Sequence, residues 1–262
     1  MDIPRISASS YSNTAPLVWS FLYGSLRGKV EMILDNAPAR SAELLSQGRV
    51  QAALVPVIAY QSIEQVKLVA GVCVGATQKV RSVGLVTRGM DIAEAKSVSL
   101  DTSSRTSVAL TKIIFKEFLG LEPVWRDAAP NVNDMLGTSD ATLIIGDPAL
   151  ALSRDPQYRV FDLVELWRKH TGLGFIFAMW MKREDDVAID FAAARDEGLA
   201  HADDIAANYA GQIGLSREEM KVYLTENITY TPDESMLAGM KLYFSLAEKH
   251  GLIEANRPLN FT

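Results

Sequence analysis

The chain has 262 residues, 48% hydrophobic and 22% charged, with a net charge of −6. This composition suits a folded core of one large domain or two small lobes and excludes wholesale disorder. The acidic balance argues against nucleic-acid binding, and no apolar run reaches the roughly 18 residues of a membrane span.

Segment 5–9 reads as a strand, 14–23 as a helix and 30–34 as a strand. Pro38 opens a helix through Ala42, Leu44 and Leu45 that Gly48 closes. Short buried strands are expected at 52–55, 68–74 and 82–86. After Arg88 the pattern restarts: strand 98–100, helix 106–118 ended by Gly120, strand 123–126, short helix 132–136 and strand 140–145. Residues 160–162 lead into a helix over 163–170, and the aromatic run 174–181 reads as a long, fully buried strand. Beyond 184 only helical signals remain: 185–210, 216–225 with a capping box of Ser216 and Glu219, and 232–249 opened by Thr231 and Pro232.

The alternation predicts an α/β protein of two lobes, with mostly parallel sheets flanked by helices. Lobe 1 is expected from 1–87 plus 174–262, and lobe 2 from the inserted 88–173. Crossover strands are expected near 80–87 and 174–181. The ligand cleft falls between the lobes, at the carboxyl ends of strands.

Four segments carry chemistry. Ser97-Val-Ser-Leu-Asp-Thr-Ser-Ser-Arg-Thr-Ser-Val-Ala-Leu110 is a strand that runs through hydroxyl and charged residues into a helix. The run is either an ordinary helix cap or an oxyanion site: the free N–H groups and positive dipole end of that helix favour an anion, and Ser103, Ser104, Thr106 and Ser107 add hydroxyl donors. In Ser9-Ser-Tyr-Ser-Asn-Thr-Ala-Pro-Leu17, Asn13 is open to two readings, helix cap or ligand contact. In Ile144-Ile-Gly-Asp-Pro-Ala-Leu150, Gly146 permits close backbone approach, and Asp147 is either a cap or a site group. In Lys79-Val-Arg-Ser-Val-Gly-Leu85, Ser82 is placed at the crossover, and Arg81 is either solvated or paired with an anion.

The sequence contains no GxGxxG and no phosphate loop. His170, His201 and His250 lack metal-ligand spacing and are expected on surfaces or in packing. Cys73, the one cysteine, is expected in the core and permits neither an internal disulfide nor a thiolate cluster. The N-terminus shows no export signal, so a cytoplasmic protein is expected.

Taken together, Ser12-Asn-Thr-Ala-Pro-Leu17, Val80-Arg-Ser-Val-Gly-Leu85, Asp101-Thr-Ser-Ser-Arg-Thr-Ser-Val-Ala-Leu110, Leu143-Ile-Ile-Gly-Asp147 and Trp167-Arg-Lys-His-Thr-Gly-Leu-Gly-Phe-Ile-Phe-Ala-Met-Trp180 resemble the chorismate dehydratases of the futalosine route to menaquinone. The likeness runs from about residue 4 to 182, and is looser through the C-terminal helices. It implies the type II periplasmic-binding-protein fold and a hydro-lyase that converts chorismate to 3-[(1-carboxyvinyl)oxy]benzoate and water. Ser103, Ser104, Thr106 and Ser107 would hold a substrate carboxylate, Asn13 and Ser82 would position the ring and leaving hydroxyl, and Gly146 and Asp147 would line the opposite wall. With no obvious base in these motifs, the enolpyruvyl carboxylate of the substrate is expected to take the C3 proton, with Asp147 as the protein-borne alternative. The implied partner is a small dicarboxylate, with no cofactor, metal, nucleic acid or membrane, and with a homodimer admissible. The rival readings are a 1,4-dihydroxy-6-naphthoate synthase of the same pathway, a non-catalytic organic-anion-binding protein, and the sensing domain of a regulator.

Overall fold

The computed structural model describes residues 3–183 and 188–262. In chain order the strands are β1 Arg5–Ser9, β2 Glu31–Asp35, β3 Ala52–Pro56, β4 Val66–Ala76, β5 Val83–Thr87, β6 Ser97–Asp101, β7 Val124–Ala128, β8 Ala141–Ile145, β9 Arg159–Asp162 and β10 Phe175–Arg183. The helices are α1 Ala15–Leu22, α2 Pro38–Ser46, α3 Thr106–Ile113, α4 Val132–Thr138, α5 Gly146–Leu152, α6 Leu163–Thr171, α7 Phe191–Ala200, α8 Ala202–Ile213, α9 Arg217–Val222 and α10 Glu234–Lys249.

Among the described residues the strands form two five-stranded sheets, ordered β2-β1-β3-β10-β4 and β7-β6-β8-β5-β9. In each sheet four strands run one way and one runs against them. β10 is antiparallel to both β3 and β4, and β5 to both β8 and β9. The parallel pairs are β1 with β2 and β3, and β6 with β7 and β8. The two opposed strands lie beside the passages between the sheets, residues 77–82 and α6 with the turn after it. Because β5 pairs within the second sheet, the change of sheet falls at 77–82 and not at the expected 87/88.

Asp162 ties these passages together. Its carboxylate accepts the N–H groups of Val80 (3.1 Å) and Arg81 (2.6 Å) in one, and of Val164 (2.9 Å) and Glu165 (3.2 Å) at the start of α6 in the other. Burial pushes this carboxyl above the ordinary carboxylate range, and the four N–H donors oppose that shift. Arg81 takes φ +63°, a conformation uncommon outside glycine, so the first passage is held in a defined bend.

The core explains the aromatic strand. Phe175 in β10 meets Trp167 of α6 edge-on at 5.5 Å and Tyr243 of α10 at 5.1 Å, and all three rings are fully buried. Helices cover both faces of β10, so it reads as a continuous apolar run.

Most element ends match the local signals. The Ser216–Glu219 capping box is formed, and Gly120 terminates its helix in the left-handed region. The expected 14–23 helix starts as a tight turn over Ser12–Thr14 and continues as α1. Helix 232–249 starts two residues late, because the Asp233 carboxylate takes the Met236 N–H (2.7 Å) and fixes the start there. The single helix expected over 185–210 is two, α7 and α8; positions 185–187 lie outside the described residues. The break comes at His201, whose ring stacks on Trp19 at 3.7 Å and whose Nδ1 lies 3.0 Å from Asp204.

Candidate active site

Between the sheets lies a cavity of about 60 Å³. Its walls come from the carboxyl ends of β1, β3 and β8, the segment before β5, and the first turn of α3. Five of the anticipated residues line it: Asn13, Ser104, Thr106, Ser107 and Gly146. No Lys, Arg or His is among the lining residues, so any anion there relies on neutral donors and the helix terminus.

The α3 terminus is built from its own hydroxyls. Ser104 Oγ accepts the Ser107 N–H (3.2 Å), which leaves the Ser107 side chain free of that task. Thr106 Oγ1 accepts the Ile58 N–H (3.3 Å), so its O–H remains a donor, and its carbonyl accepts from the buried Tyr243 hydroxyl (3.0 Å). Ile58 and Tyr243 belong to the first sheet's side of the molecule, so the helix start is fixed against both halves of the cavity. Ser103, expected as a donor to the ligand, does not line the cavity. Its N–H (2.8 Å) and O–H (2.6 Å) both go to Asp101 Oδ1.

Neither capping alternative holds at the other two segments. No N-cap residue caps the Ser12–Thr14 turn, α1 or α5 with its own side chain; Asn13 lines the cavity, and Asp147 reaches across to the other half. Both Asp147 oxygens accept the Ser12 N–H at 3.2 Å, and Oδ1 also takes the Ser12 hydroxyl in a short contact. Burial raises the Asp147 carboxyl above its ordinary range, and the Ser12 bonds oppose the shift. Asp147 is absent from the cavity lining, and its carboxylate joins the two halves through Ser12.

Ser82 is also buried behind the lining, with its Oγ 3.5 Å from the Val80 carbonyl. The Tyr223 phenol lies beside Ser82 and Asn13, fully buried and without a hydrogen bond of normal geometry. Burial raises its pKa, so it stays neutral. The Arg81 backbone N–H serves the passage between sheets through Asp162.

Three groups at the site escaped the sequence reading. Tyr223 comes from the C-terminal helices, where no motif pointed inward. Tyr11 and Asp101 stood inside quoted motifs but had no visible partner. Tyr11 lies over Gly146: that glycine has φ +68°, and a Cβ on it would sit 2.8 Å from the Tyr11 ring. The histidines are elsewhere. His170 stacks on Phe118, His201 on Trp19, and His250 Nε2 lies 2.8 Å from Glu117. Cys73 is buried with its thiol facing the Thr229 carbonyl, and burial raises its pKa. Among the described residues no group of His, Cys, Asp and Glu has metal-binding geometry, and no helix is long and apolar enough to cross a membrane.

Two mixed sheets, joined by two passages and holding a cavity at their strand ends, define the periplasmic-binding-protein fold. Solved structures that share it include a protein of Archaeoglobus fulgidus (TM-score 0.73, 16% identity, covering 95% of this chain and 98% of that one). A Candida albicans protein described as having the generic periplasmic binding protein fold gives a TM-score of 0.72 at 12% identity, covering 98% and 92%. The aliphatic sulphonate binding protein of Escherichia coli gives 0.64 at 16%, covering 99% and 93%. The model of a family described as menaquinone biosynthesis matches residues 4–249, and the chain belongs to that family. The chorismate dehydratase of Thermus thermophilus is 29% identical, over 96% of this chain and 95% of its own length.

Proposed function

We propose that this protein is a chorismate dehydratase, a hydro-lyase that removes water from chorismate to give 3-[(1-carboxyvinyl)oxy]benzoate in menaquinone biosynthesis. Family membership and the likeness to the Thermus thermophilus enzyme support this reading. The observation that carries it is the character of the cavity: hydroxyls at a helix start on one side, Asn13 on the other, and no cationic or imidazole group in the lining.

The chemistry suits such a wall. The C3–H bond breaks and its electron pair enters the ring. The C4–O bond breaks, the hydroxyl leaves with a proton as water, and the ring becomes aromatic. Aromatisation makes the reaction downhill, so the protein supplies orientation and oxyanion stabilisation. In this account the α3 terminus holds the ring carboxylate through Thr106 and Ser107, shaped by Ser104, and spreads charge developing during C3 deprotonation. Asn13 positions the ring, with Ser82 and Tyr223 behind it. The enolpyruvyl carboxylate of the substrate takes the C3 proton. Asp147 and Ser12 hold the two halves together; the cavity admits only a few waters, so substrate entry requires them to part. A cytoplasmic site of action accompanies this biosynthetic role.

The test is direct. Purified protein mixed with chorismate, without added cofactor, yields an aromatic product lighter by one water. Unchanged chorismate that nevertheless binds would instead favour a non-catalytic organic-anion-binding protein.

A further inference from the structure

One side chain of β10 reaches the cavity against the alternation of its strand. Successive side chains of a regular strand point to opposite faces. Ala178 of β10 stands opposite Pro56 of β3 on one side and Val74 of β4 on the other, and all three line the cavity. Directly opposed residues share a face of the sheet, so regular alternation would turn Phe177 away from the cavity. Phe177 lines it nonetheless. The register gives the reason. Ile176 lies opposite Gly75 and Ala178 opposite Val74, so β10 spends two residues where β4 spends one, and Phe177 is the extra residue. Such a bulge re-aims a side chain, here bringing Phe177 to the face that Ala178 already occupies.

The re-aimed ring is backed by the aromatic core. Its centroid lies 4.8 Å from that of Phe175 in an edge contact, and Phe175 is itself packed edge-on against Trp167 and Tyr243. A close-packed cluster of this kind leaves the Phe177 ring little room to retreat. Phe177 is the bulkiest of the aliphatic and phenyl side chains in the lining, which on the second sheet's side include Val83 and Ile145. These side chains form no hydrogen bonds, whereas Thr106 and Ser107 gather hydroxyls at the start of α3. The cavity thus has an apolar wall suited to a ring and a polar one suited to its carboxylate.

We propose that Phe177, placed by the bulge in β10, determines specificity by limiting the bulk of the ring that the site accepts. This rests on the ligand being a carboxylated six-membered ring, as in the function proposed above, and adds the residue that bounds its size.

The experiment measures, by calorimetric titration, the binding of 3-[(1-carboxyvinyl)oxy]benzoate and of its ring-methyl derivatives, one for each free ring carbon. Each affinity is taken relative to the parent compound in the same variant. In the wild-type protein at least one derivative is expected to bind about ten- to a hundredfold more weakly than the parent, the cost of forcing a methyl group into a packed wall. Phe177→Ala is expected to bind that same derivative as tightly as the parent, or up to about fourfold more tightly as the methyl group fills the vacated space. Phe177→Leu, which keeps an apolar side chain at the bulge, is expected to narrow the discrimination and carries the test if Phe177→Ala does not fold. Ser107→Ala weakens binding of the whole series and keeps the discrimination. Equal binding of all derivatives by the wild-type protein, or undiminished discrimination in the Phe177 variants, overturns the inference. Failure of the wild-type protein to bind the parent compound would instead overturn the functional reading on which it stands.

Discussion

On the proposed function, the side chains of the cavity divide into those that would meet the ligand and those that hold the walls, and single substitutions separate the two. Ser107 is free of capping duty because Ser104 takes its N–H. Ser107→Ala removes a donor to an anion, a bond worth about 1.5–3 kcal/mol, and is expected to lower kcat/KM by about ten- to a hundredfold in steady-state kinetics. Asp147 is engaged with Ser12 across the halves. Asp147→Asn is expected to raise KM severalfold and to leave kcat largely intact; a fall in kcat of about a hundredfold or more would restore Asp147 as the general base. Asn13, Thr106 and Ser107 were legible as cavity candidates because they follow strand ends that face the cleft, although residue order alone left helix capping open for Asn13. Ser103 was not separable from them, since its preference for Asp101 depends on a turn geometry that residue order leaves open.

At the scale of elements, the tightest packing joins α1 to α7. Gly198 lies against the Pro16 carbonyl so closely that a Cβ would fall 1.8 Å from that oxygen. Gly198→Ala must push the helices apart and is expected to cost about 1–3 kcal/mol in denaturant unfolding, more than its gain in helix propensity returns. An unchanged midpoint would contradict the packing. The α7–α8 break was illegible for a related reason: it depends on His201 meeting Trp19, a partner on another helix. Capping signals within one turn, such as Ser216 with Glu219, were legible because both partners sit in the same short stretch.

Across the whole molecule, strand and helix alternation was enough to predict two α/β halves, because period and punctuation are local. The reversed direction of β5 and β10 was not, since it follows from the chain crossing twice between sheets. A third link between distant parts joins the end of α10 to the segment after α3. Glu117 receives Lys249 Nζ at 2.7 Å and lies 2.8 Å from His250 Nε2. Lys249 foremost, and then His250, hold the Glu117 carboxyl below its ordinary range. A lowered carboxyl pKa contributes stability above the unfolded value of about 4.3 that is lost as pH falls through the folded value. Glu117→Gln is therefore expected to be less stable than wild type at neutral pH, with the gap closing in acid; a gap independent of pH would contradict the link.

The account stands on a carboxylate held at the start of α3, inside the cavity between the sheets. The most direct test is a crystal structure of the protein with 3-[(1-carboxyvinyl)oxy]benzoate bound. The account predicts the ring carboxylate within hydrogen-bonding distance of Thr106 and Ser107, with the ring between Asn13 and Tyr11. A ligand seated elsewhere, or lying in the cavity with both carboxylates turned away from α3, would contradict it.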